Sequence, residues 1–168
     1  MTDKIFAKKA VSYFLPTILT IICLFVYVIY RPEEIIINQY IFAKFPSLND
    51  IKLNINSSFP LNNFIIYNLP AGLWVMALTF CSGDYKLPLF SRKIQLAYLP
   101  IIIGLIIEFA QLTKLTDGTF DPIDIVTMLV FAFLTFRIKR LYYFNTQTSN
   151  TQPLITLTGF VILFFGNI

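Results

Sequence analysis

LAYLPIIIGLIIEFAQL, residues 96–112, runs for twelve residues without a charge before it reaches Glu108, and its reading decides the fold. A membrane-spanning strand alternates apolar and polar residues over about ten positions, and a helix on the surface of a soluble domain carries a polar face. This run does neither. It suits a helix surrounded by apolar groups, in which each backbone amide finds its partner within the helix, as lipid requires.

Similar runs flank it on both sides. They extend over about Phe14–Tyr30, Phe64–Cys81, Ile94–Leu112, Pro122–Phe136 and Leu154–Ile168. A bilayer crossing takes about 20 residues; the first four are read as spans, and the last as a short one that tilt or local thinning accommodates. With 57% hydrophobic and 13% charged residues and a mean hydropathy of +0.71, the 168-residue chain lies outside the soluble range. The expected fold is all-α, a single domain forming a polytopic transmembrane helical bundle of four to five spans. Pro70 and Pro100 fall within spans, where neighbouring helices re-satisfy the freed carbonyls.

The first run is too long for the core of a cleaved signal and no small-x-small cleavage site follows it, so it reads as an uncleaved span. Nine of the 13 basic residues fall at one set of ends: Lys4, Lys8, Lys9, Lys86, Arg92, Lys93, Arg137, Lys139 and Arg140. The excess marks the cytoplasmic side, so the amino terminus is expected inside and, with five spans, the carboxyl terminus outside. Such flanking clusters orient a chain rather than bind nucleic acid, although the net charge is +4. Glu33, Glu34, Asp50, Asp117, Asp121 and Asp124 collect on the opposite, outer side.

Histidine is absent, which removes imidazole bases, triads and the usual zinc sites. Cys23 and Cys81 sit in or at the end of apolar runs and read as packing residues rather than a disulfide. Between the first two spans, residues 32–63 form the longest loop. Its alternating Ile51–Asn56 stretch suggests a short strand-like segment after an interfacial helix, lying over the outer mouth; an ordered loop is the other reading.

The outer side also carries the candidate site. Glu108 and Gln111 lie three residues apart near the end of the third span, and so share a helix face. Asp121 and Asp124 have the same relation at the start of the fourth, after the Asp117-Gly118 turn. Asp121 suits an N-cap, Pro122 the first helical position and Asp124 the first turn, so capping alone accounts for that half. Glu108 is harder to explain, because a carboxylate costs about 2.5 to 3.5 kcal/mol at the centre of a span and less toward the interface. Its structural alternative is a pairing with Lys114 or a polar loop at headgroup depth, serving only helix packing.

Glu108-x-x-Gln111 followed by Phe120-Asp121-x-x-Asp124 resembles the central signature of VanZ-like membrane proteins, over about Ile101–Ala132. Gly118 stands near the place of an arginine in that pattern, and Met128 and Phe131 near an asparagine and a glycine, so Glu108, Gln111, Asp121 and Asp124 are the residues that carry over. The resemblance implies a bacterial inner-membrane protein connected with envelope antibiotic susceptibility.

Two main readings follow, besides that of a non-catalytic membrane scaffold. In one, the outer acidic mouth binds an amphipathic envelope ligand, a lipid-linked precursor or a glycopeptide-type antibiotic, through Glu108, Gln111, Asp121 and Asp124. It does so directly or through magnesium or calcium, which suit hard oxygen donors. In the other, Glu108 is a general base and a carboxylate-held metal polarises a phosphate or glycosyl bond. The enzyme reading needs a cation to hold the substrate, and Lys114 is the one basic residue the sequence sets beside the cluster, so binding is favoured and no resident cofactor is expected.

Overall fold

The computed structural model describes residues 2–32, 36–82, 85–89, 92–116 and 118–142. The expected fifth span, Leu154–Ile168, lies outside them, as do Glu33, Glu34, Asp84 and Asp117.

The described chain is mostly helical and the all-α expectation holds. Helix α1 covers Thr2–Tyr30, α2 Ile36–Lys44 and α3 Ser47–Ser58. A π turn at Phe64–Asn68 leads into α4, Leu69–Cys81. Strands β1, Lys86–Leu89, and β2, Arg92–Gln95, form an antiparallel hairpin with Lys86 opposite Gln95. A 3-10 turn at Leu96–Tyr98 opens α5, Leu99–Leu112, and α6 runs over Pro122–Tyr142. The third apolar run therefore begins as strand and 3-10 turn. The fourth continues as helix through Arg137 and Arg140, because that basic stretch has high helix propensity and complements the negative end of the dipole.

Side-chain contacts fix the relative directions of the helices. Asn68 meets Asp121 and Asp124 at one end, and Lys139 reaches the Thr79 carbonyl at the other, so α4 and α6 run parallel. Thr79 near Ala97, the Tyr98–Phe136 ring pair and the contact of Glu108 with Asp121 set α5 antiparallel to both. Arg31 meets Ile66 and Tyr67, and Cys23 meets Pro70, so α1 also opposes α4.

Helix α4 is central, with every residue from Gly72 to Phe80 buried. Leu19 and Cys23 of α1 and Met128 and Ala132 of α6 join Trp74, Val75 and Met76 in the core. Two glycines allow close approach: a Cβ on Gly72 would stand 2.6 Å from the Phe131 ring, and one on Gly104 would meet the Met128 sulfur.

The outward faces of α1, α5 and α6 carry exposed apolar residues, with Ile21 at 59%, Ile106 at 60%, Phe109 at 64% and Val126 at 58% exposure. Among the described residues, one helix is long and apolar enough to cross a membrane: Phe64–Cys81, 18 residues with a mean hydropathy of 1.7. Phe14–Tyr30 and Leu96–Leu112 are shorter apolar helices.

The alternating stretch Ile51–Asn56 is helical, a correction to the strand-like expectation. Helix α3 turns Lys52 inward (5% exposed) and leaves Ile51 and Leu53 outward, because the end of α1 needs a donor more than the contact needs another apolar group. The last carbonyls of a helix have no partner within it. Here Asn38 Nδ2 reaches the Pro32 carbonyl at 2.9 Å, Lys52 Nζ the Arg31 carbonyl at 3.0 Å, and Asn56 Nδ2 the Ile29 carbonyl at 3.1 Å. The Lys52 ammonium also offsets the negative end of the α1 dipole and lies 4.8 Å from the Phe42 ring centroid.

Candidate functional site

The candidate residues gather where α5 ends, α6 begins and the π turn enters α4. Helix α5 stops in a Schellman motif. Leu115 N–H donates to the Ala110 carbonyl at 2.8 Å, Lys114 N–H donates to Gln111 at 3.0 Å, and Lys114 itself is left-handed with φ 56°. The chain then reverses through Gly118, whose φ of 122° disfavours any side chain. Gln111 lies against it, its amide nitrogen 2.7 Å from where a Gly118 Cβ would stand. Gln111 therefore has contact with the connecting loop, and no hydrogen bond joins it to the acids among the described residues.

At the start of α6 the unpaired donors are taken up in sequence. Asp121 Oδ1 accepts the Ile123 N–H at 2.8 Å as an N-cap, Pro122 has no N–H to satisfy, and Asp124 N–H donates to the Asp121 carbonyl at 3.0 Å. The Asp121 N–H is received by Glu108 Oε2 at 3.2 Å. A capping box normally draws that acceptor from the helix's own first turn; here it comes from α5. Glu108 thus ties two helices together, and of its two alternative structural partners it takes the polar connection, through the Asp121 backbone, and not Lys114.

The other face of the two aspartates meets Asn68. Its single amide nitrogen donates to Asp121 Oδ2 at 2.7 Å and to Asp124 Oδ1 at 2.9 Å, and the residue is 5% exposed. Bonds to ionised acceptors are about twice as strong as neutral ones, so Asn68 fixes the separation of the two carboxylates. It occupies the last position of the π turn, whose wider ring is closed by the Leu69 N–H on the Phe64 carbonyl. Such single turns occur often at functional positions.

Arg31, from the end of α1, completes the mouth. Pro70 has no N–H for the Ile66 carbonyl four residues back, and Arg31 Nε takes that place at 3.2 Å. An Arg31 Nη2 donates to the Tyr67 carbonyl at 2.9 Å, and the Tyr27 and Tyr67 ring centroids each lie 5.0 Å from the guanidinium carbon. Asp124 feels this charge, yet no carboxylate among the described residues stands within 4.0 Å of it.

The site is therefore Glu108, Asp121 and Asp124 bridged by Asn68, with Arg31 alongside. Glu108 is 6% exposed and, among the described residues, receives one hydrogen bond, from the Asp121 N–H. Three carboxylates beside the positive end of α6 gain from its dipole, and the arrangement suits a cationic group at the mouth. Among the described residues, no three His, Cys, Asp or Glu side chains form a group able to hold a metal ion.

Sequence reasoning did not single out Asn68 or Arg31 for the site. Asn68 reads as the polar edge of an apolar run, and its partners lie 53 and 56 residues away. The aromatic residues at 27 and 67 were the one available sign for Arg31. In comparisons with known proteins, no protein-family model, no curated protein and no solved structure matches this chain.

Proposed function

We propose that the chain is a polytopic bacterial inner-membrane protein of the VanZ-like kind that binds an amphipathic envelope ligand, a lipid-linked precursor or a glycopeptide-type antibiotic, at its acidic mouth. Binding there influences the susceptibility of the envelope to antibiotics. The observation that carries this reading is a buried Glu108 with one hydrogen-bond partner, set beside two aspartates held apart by Asn68.

The alternating helix directions and the exposed apolar faces of α1, α5 and α6 support a bilayer setting. Orientation rests on charge. Lys86, Lys93, Arg137 and Arg140 are exposed at the end opposite the acids, which suits a cytoplasmic amino terminus and an outward-facing mouth.

The test replaces Glu108 by Gln and Asp124 by Asn separately, verifies membrane insertion, and measures glycopeptide susceptibility in cells. Each variant is expected to insert normally and to shift susceptibility toward that of cells without the protein. Normal insertion with parental susceptibility in both would leave capping as the whole role of the cluster. A reporter joined after Leu115 that proved cytoplasmic would overturn the orientation.

A further inference from the structure

The uncommitted edge of Arg31 says more about the ligand. A guanidinium has five N–H donors in a fixed plane. Here two are engaged, by the Ile66 and Tyr67 carbonyls, and the plane is held by the Tyr27 and Tyr67 rings. The other donors have no partner among the described residues. The group is thus a rigid, partly desolvated cation without an ion pair among the described residues, a form suited to gripping phosphate. It is anchored on the two residues that directly precede Asn68, and its charge is felt at Asp124.

We propose that the mouth recognises a zwitterionic aminophospholipid headgroup, its ammonium held at the Asp121 and Asp124 carboxylates that Asn68 bridges and its phosphate by Arg31. This rests on the proposed binding role of the acidic mouth and names the chemistry of its ligand. A purely cationic ligand would leave Arg31 unmatched, and a purely anionic one would be repelled by three carboxylates. The lipid form is favoured over a soluble phosphoethanolamine because exposed apolar side chains surround the mouth: Phe109 at 64%, Leu112 at 54% and Leu115 at 77% exposure offer contact to acyl chains.

The experiment uses the full-length purified chain in detergent and titrates three lipids, with binding read by native mass spectrometry. They are phosphatidylethanolamine, phosphatidylglycerol, which has the phosphate without the amine, and a dialkyldimethylammonium lipid, which has the cation without the phosphate. Phosphatidylethanolamine is expected to bind about tenfold more tightly than either, the ratio that one charge-assisted contact supplies. Arg31→Gln should bring it down to the level of the ammonium lipid, and Arg31→Lys should restore part of the difference. Asp124→Asn should weaken phosphatidylethanolamine and the ammonium lipid alike. Circular dichroism establishes that each variant remains helical.

Equal binding of phosphatidylglycerol and phosphatidylethanolamine by the parent overturns the proposal, as does indifference of phosphatidylethanolamine to Arg31→Gln in a folded variant. Competition by soluble phosphoethanolamine as strong as by the lipid rejects the lipid as ligand. If Asp124→Asn lowers ammonium-lipid binding while Arg31→Gln changes nothing, the acidic mouth stands and the zwitterion fails. If neither folded variant alters any lipid, both readings fall.

Discussion

Replacing Asn68 by Leu keeps the branching and the number of heavy atoms of the side chain and removes the donor that joins two carboxylates. The native amide makes bonds of 2.7 Å to Asp121 and 2.9 Å to Asp124 from a position that is 5% exposed. A hydrogen bond to a charged acceptor contributes about 1.5 to 3 kcal/mol, so the pair sets a range of roughly 3 to 6 kcal/mol. Two effects reduce it. Asp121 keeps the Ile123 N–H, and both aspartates are partly exposed, so water replaces some of what is lost. Leu also has the better helix propensity, by a few tenths of a kcal/mol. The expected loss is about 3 kcal/mol of unfolding free energy, read from denaturant titration in mixed micelles. In a double-mutant cycle with Asp124→Asn, a coupling of about 1 to 2 kcal/mol is expected, since the second change removes a carboxylate that the first leaves stranded. A variant within about 1 kcal/mol of the parent, or a cycle with no coupling, would refute the reasoning.

Lys114→Gly should stabilise the protein by roughly 1 kcal/mol, because a left-handed residue with a Cβ is strained and glycine is the usual occupant of that place in a Schellman motif; an unchanged denaturation midpoint would argue against strain there. Gly72→Ala should cost about 1 to 3 kcal/mol by forcing a methyl against the stiff Phe131 ring, and Gly104→Ala should cost less, because the Met128 side chain it meets can turn aside. Thermal unfolding of the two variants side by side gives the order, and the reverse order would contradict the packing described for α4, α5 and α6.

The helices were legible because apolar runs such as Leu96–Ile107 leave the backbone little else to do, and the N-cap at Asp121 was legible because capping is a local matter of three or four residues. Period alone misled at Ile51–Asn56. The residue that α3 buries is Lys52, chosen by the carbonyls at the end of α1, and no pattern within the segment announces that need. The β1–β2 hairpin escaped for a similar reason, since Ile94 reads as the opening of an apolar run but is paired with Leu87. Of the candidate site, Glu108, Asp121 and Asp124 meet as their spacing suggests, whereas Gln111 attends to Gly118. Asn68 and Arg31 enter through contacts between segments far apart in the chain, which no window of sequence contains.

The π turn at Phe64–Asn68 has an evolutionary corollary. It holds one residue more than a regular turn, and one residue advances an α-helix by about 100°. Within it the chain offers the Ile66 and Tyr67 carbonyls to Arg31; downstream it presents Gly72 to Phe131 and Trp74 toward Gly104. Deleting a single codon between Phe64 and Tyr67 would restore a regular helix, and these two faces would fall out of phase by that same angle. The segment is therefore expected to tolerate exchange of its apolar residues far better than any change in its length, so a lineage can vary the lining of the mouth freely while its reading frame along the helix stays locked.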